Sequence, residues 1–356
     1  MRKTLKIMFV LLVVLLLASA CSQNKEDSKN ETEKMEEKDS TPVAVEPKEP
    51  EESQKVYPLT GLPAGDDAIN HRVLAVMVNN HALARPQSGL YKADIVYEIL
   101  TEARITRFLA IFQSQEPEVI GPVRSARHYF VNLSQGYGAI YIAHGWSPQA
   151  ENLLKNGDID YLQGLYYDGT LFQRASFRKA PHNSYIPYEN AIKGAKDNGY
   201  PLTQDVKPLP FLKTDEVKDI TGETVNQATI QYASDNVVSY VYHSDDHLYY
   251  RHINGEQAED LETKTPITAA NVFIVSADHS YINNDYYRRD IDIEKGGDAY
   301  LLQEGKVQKL QWKNVEGRLL PFKEDKEVKF VPGQTWINIV ENDPGLDELV
   351  TLSEEE

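Results

Sequence analysis

The sequence contains a single cysteine, Cys21, among its 356 residues. One thiol cannot form a disulfide within the chain, and it cannot build a cysteine-based zinc site or an iron–sulfur cluster. Positive charge is also scarce, because 37 Lys and Arg face 54 Asp and Glu and leave a net charge of −17. Non-specific binding to duplex DNA requires many contacts from Lys and Arg to phosphates. We therefore expect no nucleic-acid partner.

Long hydrophobic runs are confined to the start of the chain. A positively charged beginning precedes an apolar run over 7–18, which is too short to span a bilayer and is typical of a secretory signal peptide. Small residues and then Cys21 follow, an arrangement that resembles the lipobox of bacterial lipoproteins. The alternative is ordinary signal cleavage with a spare cysteine. The sequence predicts a signal peptide over 1–20, lipidation at Cys21, and anchoring to the extracytoplasmic face of the cell membrane.

Composition divides the remaining chain into five parts. Segment 21–56 has no aromatic residue and eleven acids, which predicts a disordered acidic spacer. Strand and helix signals mix over 57–200, whereas strand signals dominate 225–340. Three prolines mark a connection over 201–224, and an acidic tail over 341–356 is expected to fray. The fold class is α+β, with an N-terminal mixed α/β domain followed by a β-rich C-terminal domain.

Capping signals place three helices in the first domain. Ser125–Gln135 is followed by Gly136, which predicts a helix with a glycine end. Ser147 followed by Pro148 is typical of an N-cap with proline at the first helical position. A third helical pattern covers Tyr188–Asn198.

Arginine is unevenly distributed. Eight of the thirteen arginines lie in 57–200, where the net charge is zero, whereas 201–356 carries a net charge of −15. The guanidinium group offers a fixed fork of donors that suits carboxylate and phosphate. The first domain is therefore the candidate recognition half.

Arg124 and Arg127 fall in a turn that opens a helix, where exposed N–H groups favour anions, and His144–Pro148 enters a second helix. The other two clusters are Arg104 with Arg107 at the entry of a strand and Arg174 with Arg178 before 180–184. The alternative is that buried arginines pair with acids such as Asp94, Glu98 or Glu102, and that Ser147 is only a helix cap. If two or more of these clusters converge, they form an anion-accepting cleft. The candidate anion-binding residues are Arg107, Arg124, Ser125, Arg127, Ser147, Arg174 and Arg178.

Catalytic motifs are weak. The residues around Ser147 lack the second glycine of a hydrolase nucleophile elbow, and no phosphate-binding loop or dinucleotide fingerprint occurs. His243 and His247 have metal-ligand spacing but no third ligand fixed by the sequence. We therefore expect no metal and no cofactor. An enzyme would have to use His144 or His182 as general acid or base, with Asp94 as partner.

Several stretches resemble the YerB-like lipoproteins of Gram-positive bacteria, a family whose function is uncharacterised. The resemblance covers the globular part of the chain and implies a lipoprotein with a two-part fold, without supplying any activity. It is carried by Ala84–Leu90, Ala93–Glu98, Ile105–Phe108, Gly121–Arg127, Ser147–Ala150, Ala180–Asn183, Asn271–Val272 and Gly333–Ile337.

Two function classes remain. The favoured one is a membrane-anchored binding module for an anionic envelope component, such as a cell-wall polymer, or for a membrane-protein partner. The alternative is an envelope hydrolase or transferase that acts on an anionic polymer with Arg, His and Asp groups. A histidine hydrogen-bonded to a carboxylate beside the arginines would favour the enzyme, and arginines neutralised by buried acids would favour a structural role.

Overall fold

The computed structural model describes residues 55–282 and 287–354. The signal peptide over 1–20, Cys21 and almost all of the spacer over 21–56 lie outside the described residues. In the two described ranges, no helix has the length and apolar character needed to cross a membrane. The described residues belong to one compact unit.

The first part of the chain mixes short strands with short helices, as the sequence predicts. Its strands are β1 (Leu74–Asn79), β2 (Ile95–Glu102), β3 (Ile105–Phe112), β4 (Val119–Ile120), β5 (Ile140–Ala143), β6 (Tyr161–Gln163), β7 (Gln173–Arg174) and β8 (Ser184–Pro187). Its helices are α1 (His128–Gln135), α2 (Pro148–Asn156), α3 (Gly164–Tyr167) and α4 (Tyr188–Asp197).

The second part is rich in strands. They are β9 (Glu223–Thr224), β10 (Gln227–Ala233), β11 (Asn236–His243), β12 (Leu248–Ile253), β13 (Glu256–Gln257), β14 (Thr268–Ala269), β15 (Asn271–Ala277), β16 (His279–Tyr281), β17 (Arg289–Ile291), β18 (Gly297–Gln303), β19 (Lys306–Val315), β20 (Arg318–Lys323), β21 (Lys326–Glu327), β22 (Thr335–Glu341) and β23 (Val350–Ser353). One short helix, α5 (Leu346–Leu349), precedes β23. The molecule is therefore rich in sheet and has few helices.

Residues 341–354 of the acidic tail are ordered, which corrects the expectation that this part frays. β23 pairs with β10 and places Val350 opposite Ile230. Leu346 and Val350 are buried. Burial of these apolar side chains outweighs the repulsion between the neighbouring acids, which face solvent.

Helix α1 begins three residues later than the predicted Ser125. The preceding residues are extended, because Val123 bridges to Val78 and Ala126 bridges to Trp146. Helix α2 follows the prediction, since the Ser147 hydroxyl accepts a hydrogen bond from the Ala150 N–H. Gly136 and Gly157 are the C-caps of the two helices.

Both parts of the chain contribute to the largest sheet of the described residues. Its main path runs β21-β20-β19-β18-β15-β22-β2-β3-β1-β5-β6. β2 from the first part pairs in parallel with β22 from the second. The regions 57–200 and 225–340 therefore share a sheet, and the boundaries drawn between them remain predictions.

The six strands β1, β2, β5, β6, β15 and β22 of this sheet run in the same direction. β5 is parallel to both β1 and β6, β22 is parallel to both β2 and β15, and β3 is antiparallel to both β1 and β2. The carboxyl ends of these six strands therefore meet at one edge of the sheet, here called the carboxyl edge. Asp94 precedes β2 and lies at the opposite, amino edge.

The core covers both faces of the sheet. Leu74 and Val76 of β1 belong to one apolar cluster, and Ala75 and Met77 belong to the other. This alternation follows from the two-residue period of a strand. Helices α1 and α2 cover one face, and α4 with the second sheet covers the other. Because both faces are covered, side chains of the central strands can reach a ligand only near the ends of these strands.

Candidate functional site

Four segments of the chain meet at the carboxyl edge and bring polar side chains together there. Asn79 ends β1, His144 follows β5 directly, and Gly164 follows β6. His182 arrives from the loop between β7 and β8 and contacts the end of β1. Ligands of open sheets that contain parallel strands commonly bind at this edge, where loops leave adjacent strands.

Two stacked imidazoles form the centre of the cluster. The rings of His81 and His182 lie 4.5 Å apart between centroids. The Asn79 side-chain oxygen accepts the His81 backbone N–H at 3.0 Å, and the Asn79 amide group donates to His182 Nδ1 at 2.9 Å. His81 Nδ1 accepts the Leu83 backbone N–H at 3.1 Å. Each neutral ring must therefore carry its hydrogen on Nε2, where it is a donor.

His144 has the other tautomer. Its Nε2 lies 3.0 Å from Arg174 Nη2, which can only donate, and its Nδ1 lies 2.7 Å from Ser184 Oγ. The ring therefore accepts at Nε2 and donates at Nδ1. Arg174 also donates to Asp168, so His144 and Asp168 together fix the position of its guanidinium group.

The backbone of Gly164, directly after β6, passes so close to the His144 ring that no larger residue fits there. A Cβ atom on Gly164 would lie 2.3 Å from the His144 ring. Real contacts of a Cβ atom are not that short, so a larger residue would displace the ring. The position of His144 therefore depends on Gly164.

Positive charge surrounds both imidazole groups. Burial, and then the nearby Arg174, lowers the pKa of His144. Burial, and then His81, Arg124 and Arg178, lowers the pKa of His182. Both rings are therefore neutral at pH 7, which agrees with the tautomers that their hydrogen bonds require.

Arg124 is the least satisfied cation of the cluster. Its segment pairs with the end of β5, because the His144 N–H donates to the Arg124 carbonyl at 3.0 Å. One guanidinium nitrogen makes a long contact of 3.5 Å to the Pro181 carbonyl, whereas Nε is buried and unbonded. Within the described part of the chain, no carboxylate lies within ion-pair distance of this group. Burial, and then Arg107, lowers the pKa of Arg124 to about 10, so it remains charged at pH 7.

Arg178 holds the loops together. It donates to the Ala84 carbonyl at 2.9 Å and to the Pro86 carbonyl at 2.6 Å, and it also donates to the Tyr185 hydroxyl. Carbonyl and hydroxyl oxygens do not neutralise its charge. Arg178 therefore adds positive potential beside His182.

Arg107 and Arg127 do not join this cluster, which corrects their inclusion among the anion ligands. Both pair with Glu102, at 2.8 Å for Arg107 and at shorter range for Arg127. Their side chains are almost fully buried. These two arginines follow the structural alternative, in which a carboxylate of the chain takes the place of an external anion.

The two serines have backbone partners. Ser147 is buried, and its hydroxyl caps α2. The Ser125 hydroxyl donates to the His144 carbonyl at 3.2 Å, so Ser125 stays beside the cluster. Ser147 is therefore removed from the candidate ligands, whereas Ser125 supports the loop that carries His144.

Asp94 cannot assist either histidine, because it lies at the amino edge. Its carboxylate is fully buried and accepts the backbone N–H groups of Gln113 and Ser114 at 2.6 and 2.9 Å. Burial raises the pKa of Asp94 to about 6. The predicted pairing of Asp94 with His144 or His182 is therefore wrong.

The cluster is built to donate hydrogen bonds. Arg124 and the Nε2–H groups of His81 and His182 offer donors only. Arg174 is already occupied, because Asp168, Asn183 and His144 accept its hydrogen bonds. The remaining ring lone pairs are occupied, at Nδ1 by Asn79 and Leu83 and at Nε2 of His144 by Arg174. This arrangement suits an oxyanion and leaves no imidazole lone pair available as a general base.

The two described ranges contain no set of side chains arranged to hold a metal ion. No group of three or more His, Cys, Asp and Glu side chains is close enough there to hold an ion. His243 stacks on Tyr250 and His247 pairs with Glu304, so the two point to different partners.

Sequence reasoning did not identify Asn79, His81, Asp168 or Ser184 as parts of this site. A signal for the first two was available, because the sequence Asn79-Asn80-His81 directly follows a buried strand. Asp168 and Ser184 are joined to the site only by tertiary contacts.

Comparison with known proteins supports the earlier resemblance. The family models for the N-terminal and C-terminal domains of a protein of unknown function (DUF3048) match residues 59–201 and 228–337. The chain is 50% identical over 293 residues to "Putative lipoprotein YerB" of Bacillus subtilis (strain 168), covering 82% of this chain and 86% of that protein.

A solved structure agrees with the same relationship. The crystal structure of the YerB protein from Bacillus subtilis matches with a TM-score of 0.78 and 48% identity, covering 84% of this chain and all of that one. The predicted resemblance is confirmed: the chain belongs to the DUF3048 family, the family of YerB.

Proposed function

We propose that this protein is a membrane-anchored lipoprotein that binds phosphate groups of an anionic envelope polymer at its carboxyl edge. The observation that carries the proposal is Arg124, a half-buried cation with no carboxylate partner in the described ranges, beside the Nε2–H donors of His81 and His182. The lipid anchor at Cys21 is part of the proposal, and the name of the similar lipoprotein supports it.

A bound oxyanion would satisfy the donors that the chain leaves open. A hydrogen bond to a charged group contributes about 1.5–3 kcal/mol when both partners are partly removed from water. No carboxylate of the described chain pairs with Arg124, so an incoming anion has none to displace at its terminal nitrogens, one of which makes only the long contact to the Pro181 carbonyl. Arg107 and Arg127 lack this property because Glu102 already occupies them.

Binding is favoured over catalysis by the orientation of the imidazoles. A general base needs a lone pair directed at the substrate. Each of the three rings uses its lone pair within the cluster, and none is hydrogen-bonded to a carboxylate in the described ranges. The geometry therefore supports a recognition site better than a hydrolase or transferase site.

Replacement of Arg124 tests this proposal. We expect Arg124→Ala to weaken the binding of poly(glycerol phosphate) at least tenfold. A single hydrogen bond to a charged group contributes about 1.5–3 kcal/mol, and a loss of about 1.4 kcal/mol in binding free energy lowers the affinity tenfold. Arg124→Lys should restore only part of the affinity, since an ammonium group lacks the fork of donors. Isothermal titration at physiological ionic strength measures these affinities.

A matched control removes the same charge elsewhere. Lys313 lies on β19 near the other end of the sheet and pairs with Asp325 at the surface. Lys313→Ala should bind poly(glycerol phosphate) like the wild type. Equal affinities for the Arg124→Ala and Lys313→Ala variants, or no binding by the wild type, would refute the proposal.

A further inference from the structure

A cavity of about 470 Å³ lies where the loop after β1 meets the hairpin of β12 and β13. Its lining comes from residues 82–87 of the first part of the chain and 251–259 of the second. This volume is within the range of small-molecule sites. The cavity is separate from the histidine cluster, although the same loop carries His81 at one end and Arg85 at the other.

Arg85 presents an unneutralised guanidinium group to this cavity. Its Nε donates to the Asn80 side chain at 3.1 Å, and one terminal nitrogen donates to the Asn80 carbonyl at 2.8 Å. The remaining nitrogen, Nη1, has no hydrogen bond in the described part of the chain. Asn80 is itself fixed by bonds to Glu98 and Thr106. Arg85 is therefore held in place with donors left for a ligand.

Among the other charged side chains of the lining, only one carboxylate lacks an ion-pair partner in the described ranges. Arg251 is paired with Glu98, and Glu259 is paired with Lys264. Glu256 is exposed on β13 and has no ion-pair partner among residues 55–282 and 287–354. One cation and one anion thus remain open to a ligand.

The lining also contains apolar groups, which come from Pro86, Ile253 and Ala258. Such a lining favours a ligand with a short apolar body and a charged group at each end. A free anion or a lipid would leave Glu256 unpaired beside the ligand, which is unfavourable when water is displaced.

We propose that this cavity binds a small zwitterion, a free amino acid or dipeptide, with its carboxylate on Arg85 and its ammonium group on Glu256. The inference is independent of the phosphate site proposed above. Two charges of opposite sign select for the direction of the ligand as well as for its charge.

Three related probes test the two contacts separately. Titration calorimetry with alanyl-alanine, its carboxyl amide and its N-acetyl form compares the loss of each terminal charge. We expect the wild type to bind alanyl-alanine at least tenfold more tightly than the amide and several-fold more tightly than the acetyl form. The backbone amide resonances of residues 82–85, 87 and 251–259 should shift on binding.

Two substitutions assign the contacts. Arg85→Ala should remove the preference for the free carboxylate, and Glu256→Gln should bind the free and acetylated dipeptides equally. Because Arg85 also holds its loop, Ala82→Trp provides a second variant. It narrows the cavity from an exposed position of the lining and should weaken binding without loss of folding. Glu327→Gln, an exposed carboxylate on β21, is the matched control.

The outcomes are decisive in each case. Absence of shifts in both lining segments, or equal binding of the three probes, would overturn the site. A Glu256→Gln variant that still distinguishes the free from the acetylated dipeptide would overturn the ammonium contact.

Discussion

The Arg251→Ala variant is expected to lose about 3–5 kcal/mol of unfolding free energy, because it leaves a buried carboxylate without its counter-charge. Glu98 is fully buried and Arg251 nearly so, and their closest contact is 3.0 Å. The Arg251 guanidinium group also lies 5.3 Å from the Phe108 ring and 5.0 Å from the Trp336 ring. Alanine removes both the charge and this packing.

The same substitution tests how the two regions of the chain are joined. Glu98 belongs to β2, Arg251 to β12 and Trp336 to β22, so the contact ties the first region to the second. Urea unfolding followed by tryptophan fluorescence and by circular dichroism measures the effect. The two probes should report one common transition in the wild type. A loss of unfolding free energy below about 1 kcal/mol, comparable with that of the Lys313→Ala control at the surface, would contradict the structural role of the Arg251–Glu98 pair.

Glu102→Ala is expected to have an effect of similar size, about 3–5 kcal/mol, because two buried arginines then lack a carboxylate. Arg107 and Arg127 both depend on Glu102. Arg107 keeps a 2.7 Å bond to the Ser125 carbonyl, and Arg127 keeps its bond to the Ala126 carbonyl. Neither carbonyl carries the full charge that is lost.

Comparison with binding separates structural arginines from ligand arginines. A modest urea concentration series measures stability, and poly(glycerol phosphate) titration below the unfolding transition measures binding. Glu102→Ala should lower stability without a tenfold loss of binding, whereas Arg124→Ala should do the reverse. If Glu102→Ala is as stable as the wild type, Arg107 and Arg127 do not have the structural role assigned to them.

Much of the fold was readable from the sequence because its signals were local. Short apolar strands in the first region and the Ser147 cap of α2 follow from residue type and spacing. The alternation of buried apolar residues with Lys and Gln in β19 favours a strand, but it does not say which strand is the partner. The pairing of β2 with β22 was also inaccessible, because register between distant segments depends on tertiary contacts.

The site was partly readable for the same reason. Arg124, Arg174, His144 and His182 were identified from clusters beside strand ends and turns, and the structure brings them to one edge. Arg107 and Arg127 were also predicted as anion ligands, but both pair with Glu102 in the structure. Whether an arginine meets an acid of its own chain is a question of geometry, and one sequence without its fold does not contain the answer.

Nitrogen-15 NMR of the imidazole rings during a titration with glycerol phosphate tests the central claim most directly. The account predicts Nε2–H tautomers for His81 and His182 and an Nδ1–H tautomer for His144 at pH 7. Added glycerol phosphate should shift the His81 and His182 Nε2 resonances in the wild type and leave them unchanged in Arg124→Ala. An Nδ1–H tautomer at His182, or Nε2 resonances that glycerol phosphate does not move in the wild type, would contradict the account.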